Sequence, residues 1–381
     1  MTNQLNALAP ALDMLSKQIK VLPATGGAIE DLDQPDIEET EDLLVNRDNG
    51  DITEYGETQP SLDNLYRPTP PIYRAEKQLY HYFIDGSRKT YYLGTGIENN
   101  RAFPIELAQV GAAIIQRDER GMVRALDIKH RLLLIVPKGP LGVSDTLWRD
   151  LETLNTPDGF LRVIDSAKDT PNKPGKTAVE NLRAHAQGIA SDYMHNLEID
   201  AIKLTDGYRN DNCWLILDGG INWGQFLGYP WMIGVAKNFS KNPRFRFGKS
   251  RAVPRDITQI VSKLPYAHRT AAFSTGGGKV AFWYVRLRKP EEVQYALQGV
   301  VKVELPLRDR KPADTELIDL ISRTLVAERN VTPYGQDQRW HCHLYPIFQA
   351  EQAIKTRFYS QQVIRGMIRW PRNIEQEITN D

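Results

Sequence analysis

Residues 80–87 read YHYFIDGS, an apolar, strand-like run that ends on an acid followed by glycine. The same pattern returns in CWLILDG at residues 213–219. Each run predicts a buried strand with an aspartate, Asp85 or Asp218, at its carboxyl end. Open α/β sheets bind ligands at that edge, so both acids are candidates for one site. For Asp85 the alternative is a hairpin turn, because Asp-Gly between strand-like runs is a strong turn signal.

A third acid lies on a helix that the pattern predicts over residues 177–204. Glu198 stands beside the apolar stripe of this helix, where a partly buried carboxylate needs a partner. That partner is either a metal ion or a lysine or arginine at the surface. Glu180 and Asp200 are substitute candidates on the same helix, although Asp200 points away from the stripe. Three converging carboxylates suit Mg²⁺ or Mn²⁺, which acidify bound water and stabilise both oxygens of a phosphodiester displacement.

Strand and helix signals continue along the chain from Leu79 onwards. Strand patterns occur at 79–85, 89–94, 108–116, 130–137, 212–218, 231–237, 269–274, 279–287 and 299–305. Helical patterns occur at 144–155, 177–204, 312–328 and about 346–369. Strands come first, and helices then alternate with strands. This order predicts an α/β fold in which helices flank a mixed sheet.

The composition is that of an ordinary globular protein. The 381 residues, 41% hydrophobic and 25% charged, are enough for one large or two ordinary domains. Basic and acidic residues number 48 each, so net charge indicates no partner. We find neither an apolar run near the roughly 20 residues of a membrane helix nor a signal-peptide pattern. We expect Cys213 and Cys342 to be free thiols in a cytoplasmic protein.

The first 70 residues are predicted to form a segment separate from a domain over residues 71–381. Leucines recur at helical spacing from Leu5 to Leu15 and predict a short amphipathic helix, with Pro10 as a flaw. Residues 28–65 are acidic and poor in aromatic side chains, which favours a linker or an interaction segment. The alternative is a solvated tail that packs on nothing.

A basic segment follows the predicted strand at residues 231–237. It reads NFSKNPRFRFGKSRAVPR at residues 238–255 and contains no acid. Cations for phosphates, interleaved with rings for unstacked bases, are the usual means of holding single-stranded nucleic acid. The candidate DNA-binding residues are Lys241, Arg244, Phe245, Arg246, Phe247, Lys249 and Arg251. The alternative is a solvated loop whose phenylalanines pack into the core.

Two further patterns resemble known motifs only in part. STGGGK at residues 274–279 lacks the first glycine and the final Ser or Thr of a phosphate-binding loop, so we expect a flexible hairpin. His341 and His343 flank Cys342 without the spacing of a zinc site. A histidine there is still a candidate for assisting a metal site or holding a phosphate.

Six short motifs, in their order and spacing, resemble the NurA family of DNA end-processing nucleases. They are FIDGS at 83–87, MHNLEIDA at 194–201, LILDGG at 215–220, IGVAKNFS at 233–240, FWYVRL at 282–287 and YPIFQAEQAIK at 345–355. The resemblance covers about residues 79–369. It implies an RNase H-like core and Mn²⁺-dependent nuclease activity on DNA. It also implies a dimer that acts beside a hexameric HerA-type ATPase that pumps DNA.

The resemblance assigns roles to single residues. Asp85, Glu198 and Asp218 match the metal-binding acids of the family. Lys237 matches a conserved-motif lysine, which we expect on the scissile phosphate, and Tyr345 matches the tyrosine of the last motif. These five residues are therefore the candidate catalytic residues.

The last motif departs from the family pattern. That pattern has Ala-His or Ala-Asp, whereas Ala350 is followed here by Glu351 at a shorter spacing from the tyrosine. A helix that starts after Pro346 would aim Glu351 towards the sheet edge. Glu351 is therefore the candidate for the final metal ligand.

The function expected from these features is metal-dependent hydrolysis of DNA at ends or in single strands. It would serve DNA end processing, repair or phage defence beside a HerA-type translocating ATPase. The alternative is a non-catalytic DNA-binding scaffold subunit of a translocase complex, whose acids are turns and surface charges.

Overall fold

A large mixed sheet forms the centre of the protein. The computed structural model describes residues 6–24, 30–31, 51–61, 63–172, 174–221, 224–241, 243–247, 253–329, 342–368 and 370. Its strands are β1 (Lys20–Pro23), β2 (Glu30–Asp31), β3 (Tyr66–Pro68), β4 (Tyr80–Glu98), β5 (Arg101–Arg117), β6 (Val123–Val136), β7 (Leu161–Asp165), β8 (Trp214–Asp218), β9 (Met232–Ala236), β10 (Arg244–Phe245), β11 (Arg255–Asp256), β12 (His268–Thr270), β13 (Phe273–Thr275), β14 (Val280–Arg286) and β15 (Val300–Pro306). Its helices are α1 (Leu8–Gln18), α2 (Asp145–Glu152), α3 (Ala178–Lys203), α4 (Ile257–Ser262), α5 (Thr315–Glu328), α6 (Tyr345–Lys355) and α7 (Gln361–Met367).

Ten strands run across the sheet in the order β3-β12-β14-β15-β9-β8-β4-β5-β6-β7. The short strands β1 and β2 pair with the second half of β4, and β13 pairs with β14. The pairs β4·β8, β8·β9 and β6·β7 are parallel, whereas the other pairs along this order are antiparallel. The expectation of an α/β fold with a mixed sheet is therefore confirmed.

The long strands β4 and β5 form one antiparallel hairpin, and its turn is not where the sequence pattern indicated. Asn99 and Asn100 form the two-residue turn with φ of 51° and 58°. Asparagine tolerates this left-handed backbone, which matches the twist of a tight hairpin. The strands expected at 79–85 and 89–94 are one continuous strand. The turn alternative for Asp85 is therefore wrong.

Helices cover both faces of the sheet. On one face α3 packs over β4 and β5, and its buried Ile199 and Ile202 join a cluster with Ile84 and Leu217. On the other face α5 and α6 pack in a cluster that contains Phe83. Each central strand is therefore buried on both sides, which explains its nearly continuous apolar sequence.

Some element boundaries differ from the expected ones. The helix expected over 346–369 is two helices, because α6 ends at Lys355 and the Ser360 side chain caps the start of α7. The strand expected at 269–274 is divided into β12 and β13. The glycine-rich stretch 276–278 is the turn between β13 and β14, as the hairpin interpretation predicted.

The N-terminal segment packs on the sheet rather than standing apart from it. In α1 the leucines Leu8, Leu12 and Leu15 are buried in a cluster with residues of β4, β5 and β6. Glu57, within the stretch expected to be a linker, is buried and pairs with Arg269 at 2.8 Å. For the described residues 51–61 and 63–65 of the stretch 28–65, the alternative of a solvated tail that packs on nothing is therefore wrong, and residues 32–50 lie outside the described part of the chain. The domain boundary near residue 70 stays a prediction.

Within the described part of the chain, no helix is both long enough and apolar enough to cross a membrane.

Candidate active site

Asp85, Asp218 and Lys237 lie at one edge of the sheet and on one face of it. In the parallel pair β4·β8, Ile84 lies opposite Leu217, and in β8·β9 Asp218 lies opposite Val235. Side chains alternate between the faces of a strand. All three functional side chains therefore project to the face covered by α5 and α6. Asp218 ends β8 as expected, but the expectation that Asp85 ends its strand is wrong, because β4 continues to Glu98.

An ion pair connects the two central strands at this edge. Lys237 Nζ lies 2.7 Å from Asp218 Oδ2, and the two side chains are only 14% and 18% exposed. Burial by itself would lower the pKa of Lys237, but the charges of Asp218 and Asp85 more than offset it, and the pKa is raised. Lys237 is therefore a permanent cation within the cluster of acids.

Asp85 is the most strongly perturbed acid of the site. Burial raises its pKa well above the ordinary value, and the negative charges of Asp218, Glu351 and Glu198 raise it further, while Lys237 lowers it. Burial is therefore the main cause of the raised pKa of Asp85, and the neighbouring acids add to it because they carry more negative charge than one lysine neutralises. An additional cation would stabilise the ionised form of Asp85.

Glu351 reaches the same region from the helix above the sheet. Helix α6 packs against β4 and β5. Gly111 of β5 permits this close packing, because any side chain at this position would place its Cβ only 2.8 Å from the Ile354 side chain. Burial would raise the pKa of Glu351, but the hydrogen bond and charge of Lys355, 2.6 Å away, outweigh it and the pKa is lowered. The expectation that α6 aims Glu351 at the sheet edge agrees with its charge interaction with Asp85.

Glu198 approaches β4 from the opposite face, directly over Gly86. A Cβ added to Gly86 would overlap the Glu198 carboxylate, with 2.8 Å to its Cδ and 3.1 Å to Cγ of Met194. Only glycine leaves space for the carboxylate to touch the strand. The glycine after Asp85 therefore serves a close approach between helix and strand, and not a turn.

A histidine that the sequence analysis did not select holds Glu198. His195 Nδ1 lies 2.8 Å from Glu198 Oε2, one helical turn away on α3. The His195 ring also stands edge-on to Phe226 at 5.9 Å between centroids. The i,i+3 spacing of a histidine and an acid beside an apolar stripe was the available signal for this pair.

The loop after Asp218 is held from the next strands. The backbone N–H of Ile221 donates to Glu304 Oε2 at 2.8 Å, and Lys302 lies 2.7 Å from the other carboxylate oxygen. Gly219 has φ of +104° and donates its N–H to the carbonyl of Val235. This buried pair therefore fixes the backbone immediately after the catalytic candidate.

The chemistry of the acids fits a divalent cation. Four carboxylates share the region with one largely buried lysine, and carboxylates are the donors that Mg²⁺ and Mn²⁺ prefer. Among the residues that the structure describes, no group of three or more His, Cys, Asp or Glu side chains is arranged closely enough to hold one ion. Coordination by Asp85, Asp218, Glu198 and Glu351 stays a prediction.

The remaining candidates near the site have other environments. Tyr345 is 52% exposed at the first position of α6. Glu180 completes a capping box with Thr177 at the start of α3, so it is not a substitute ligand. Asp200 lies 3.5 Å from both Lys129 and Lys203 at the surface, as its position off the stripe predicted. His343 is buried, and its charge lowers the pKa of Glu351 after the larger effects described above.

The phenylalanines of the basic segment pack into the core. The Phe245 ring is wholly buried, 4.8 Å from the ring of Phe273. The expectation that Phe245 stacks on unpaired bases is therefore wrong, since no base can reach it. Phe247 lies partly buried against Phe273, and the Arg255 guanidinium covers its ring at 4.9 Å.

The cations of this segment meet an acid from the N-terminal part of the chain. Arg244 Nε lies 3.0 Å from one oxygen of Asp51, and Arg246 Nε lies 2.5 Å from the other. Lys241 is exposed. Lys249, Arg251 and His341 lie outside the described residues. A basic surface therefore remains around Arg244, although Asp51 shares it.

Comparison with known proteins gives no family assignment. No protein-family model matches the chain, and a search of curated proteins also finds no match. The assignment of the site therefore depends on its geometry and on the motifs quoted above.

Proposed function

We propose that this protein is a divalent-metal-dependent deoxyribonuclease that hydrolyses phosphodiester bonds at DNA ends or in single strands. One observation carries the proposal: buried Asp85, within β4, lies level with Asp218 at the carboxyl end of the parallel strand β8, together with Lys237, and Glu351 and Glu198 are close enough to perturb Asp85. Acids in such excess over buried cations favour a bound metal ion rather than a structural ion pair. The resemblance to the NurA family, including an RNase H-like core, supports the same conclusion.

The acids and the lysine have different roles in the proposed reaction. Asp85, Asp218, Glu198 and Glu351 would hold Mn²⁺ or Mg²⁺. A bound ion of this kind supplies an acidified water and charge stabilisation at the phosphate. When Asp218 binds a cation, the Lys237 ammonium would point towards the scissile phosphate instead. There it would offset the negative charge on the phosphate oxygens.

Arg244, Arg246 and Lys241 are proposed to hold the DNA backbone next to the site. They follow Lys237 by four, seven and nine positions along the chain. Phe245 takes no part in this interaction, because its ring is buried in the core and cannot stack on a base. Binding then depends mainly on phosphate contacts and falls steeply with salt.

The partners belong to the same proposal. The resemblance supports a homodimer that works beside a HerA-type DNA-translocating ATPase in the cytoplasm, in end processing, repair or phage defence. Co-purification with such an ATPase tests it, using the full chain and a variant with charge changes on exposed residues of the N-terminal segment.

The activity is tested with purified protein and end-labelled linear and single-stranded DNA, in Mn²⁺, Mg²⁺ or EDTA. We expect cleavage that EDTA abolishes and that Asp85→Asn and Asp218→Asn each reduce at least about 1000-fold. Asp200→Asn is the matched control, because this acid lies on α3 beside surface lysines. Tight DNA binding without cleavage in either metal would contradict the proposal and favour the scaffold alternative.

A further inference from the structure

We propose that His195 is a positioning residue that holds the Glu198 carboxylate in the orientation required for metal binding. The inference rests on the proposed function and extends it to a residue that has no place among the candidate ligands. It concerns how one ligand is oriented, since His195 bonds directly to Glu198.

The hydrogen bond between the two side chains has a fixed direction. Nδ1 of His195 lies 2.8 Å from Oε2 of Glu198, and an ionised carboxylate can only accept, so the imidazole donates. The side chains are 20% and 3% exposed, which places the bond away from bulk water. A bond of this kind at low exposure holds geometry better than a surface pair.

The two oxygens of Glu198 are constrained from opposite sides. Oε2 is bound by His195, while Oε1 rests against the backbone of Gly86. The edge-on contact between His195 and Phe226 limits rotation of the imidazole in turn. A glutamate has three rotatable bonds, so a long side chain that must present one oxygen to a metal gains most from such support.

A ligand supported in this way binds metal more tightly because less side-chain freedom is lost on binding. Partners that orient metal ligands typically change metal affinity or activity by about 10- to 100-fold when removed. His195 has the geometry of such a partner: it contacts the ligand carboxylate, and it lies on the same helix.

The same helix offers a matched control. His185 Nδ1 lies 2.9 Å from Thr170 Oγ1 and 3.0 Å from the carbonyl oxygen of Ser166. This histidine of α3 therefore has hydrogen bonds of comparable length, but to the loop before the helix, and the described contacts include none between it and a candidate ligand. Its removal tests the general effect of losing a hydrogen-bonded histidine from the helix.

The experiment measures Mn²⁺ binding by calorimetry and by electron paramagnetic resonance, together with the Mn²⁺ dependence of cleavage and thermal unfolding. We expect His195→Ala to weaken Mn²⁺ binding by about 10-fold or more, with much of the activity regained at saturating Mn²⁺. His195→Asn should recover part of the affinity, because its amide can donate from nearly the same position. His185→Ala should leave Mn²⁺ binding unchanged.

Two failures are distinguishable. If wild-type protein and Asp85→Asn bind Mn²⁺ equally poorly and neither cleaves DNA, the proposed function fails and the inference fails with it. If the wild type binds and cleaves but His195→Ala has unchanged Mn²⁺ affinity, only the role of His195 is overturned. Equal losses in His195→Ala and His185→Ala would also overturn it, since they would reflect damage to the helix.

Discussion

Replacing Gly86 with alanine is the sharpest test of how the site is assembled. The new Cβ would overlap Oε1 of Glu198 and lie 2.8 Å from its Cδ, whereas ordinary contact begins at 3.4 Å, so the carboxylate must move by more than the 3.4 − 2.8 = 0.6 Å that Cδ alone requires. It cannot move freely, because His195 holds its second oxygen. Gly86 lies within a regular strand, so alanine introduces no backbone strain of its own.

The expected result is a loss of catalysis that exceeds the loss of stability. Overpacking of this size costs about 1–3 kcal/mol of unfolding free energy. A displacement approaching 1 Å at a reacting centre costs up to about 100-fold in rate. We therefore expect Gly86→Ala to reduce Mn²⁺-dependent kcat/KM by about 10- to 100-fold and to raise the Mn²⁺ concentration for half-maximal cleavage.

The assay compares cleavage of end-labelled single-stranded DNA across a Mn²⁺ titration, with thermal unfolding in EDTA as the stability measurement. Gly188→Ala on α3 is the control, because a Cβ there meets nothing within 4 Å and should stabilise the helix by about 1 kcal/mol. Adding Glu198→Asp to Gly86→Ala shortens the obstructed side chain and should recover part of the packing energy. Wild-type cleavage by Gly86→Ala would refute the close approach as a requirement of the site.

Three further predictions concern charges. Lys237→Met should lower the unfolding free energy in EDTA by about 3 kcal/mol, the lower end of the cost of breaking a buried ion pair, and added Mn²⁺ should restore part of this loss. An unchanged melting temperature would contradict the role of Lys237 as the cation that neutralises these acids. Asp51→Asn should strengthen single-stranded DNA binding in EDTA about two- to fivefold in fluorescence anisotropy, because the carboxylate no longer competes for its two arginines, and weaker binding would oppose this. Glu106 is 2% exposed, and burial raises its pKa to about 8, so folding favours the neutral carboxyl. The free energy of unfolding therefore falls as the pH rises from about 4.5 to 8, because the unfolded chain ionises this carboxyl more readily than the folded protein does. Glu106→Gln should therefore gain melting temperature relative to wild type towards pH 8, and parallel pH profiles would contradict it.

The sequence predicted the central strands and the acid that ends β8 because these signals are local. An apolar run of strand length that ends on Asp218 is visible without knowing its neighbours, and the mixed α/β fold follows from strand and helix order. The same pattern was misleading at Asp85, because β4 continues beyond it to Glu98. The position of Glu351 was also predictable, since a helix starting near Pro346 sets the direction of the side chain.

Other parts of the site could not be predicted in this way. The sequence Asp-Gly at residues 85–86 looks the same whether it forms a turn or lies in a strand where glycine allows a helix to pack closely. Only the register of β4 with β5 excludes the turn. Likewise, the basic segment contains no acid in sequence, so its ion pairs with Asp51 could not be predicted, since that residue lies almost 200 positions away along the chain.

By itself, the sequence determined the fold class, the two acids that follow apolar runs and the basic segment, because hydropathy period and charge are properties of neighbouring residues. Only the tertiary structure decided that Glu198 crosses over Gly86, that His195 holds it, and that Phe245 faces the core. These are contacts between residues distant along the chain or choices between two faces of one element. Packing fixes them, because burying the apolar side chains of both sheet faces decides which residues from distant parts of the chain meet.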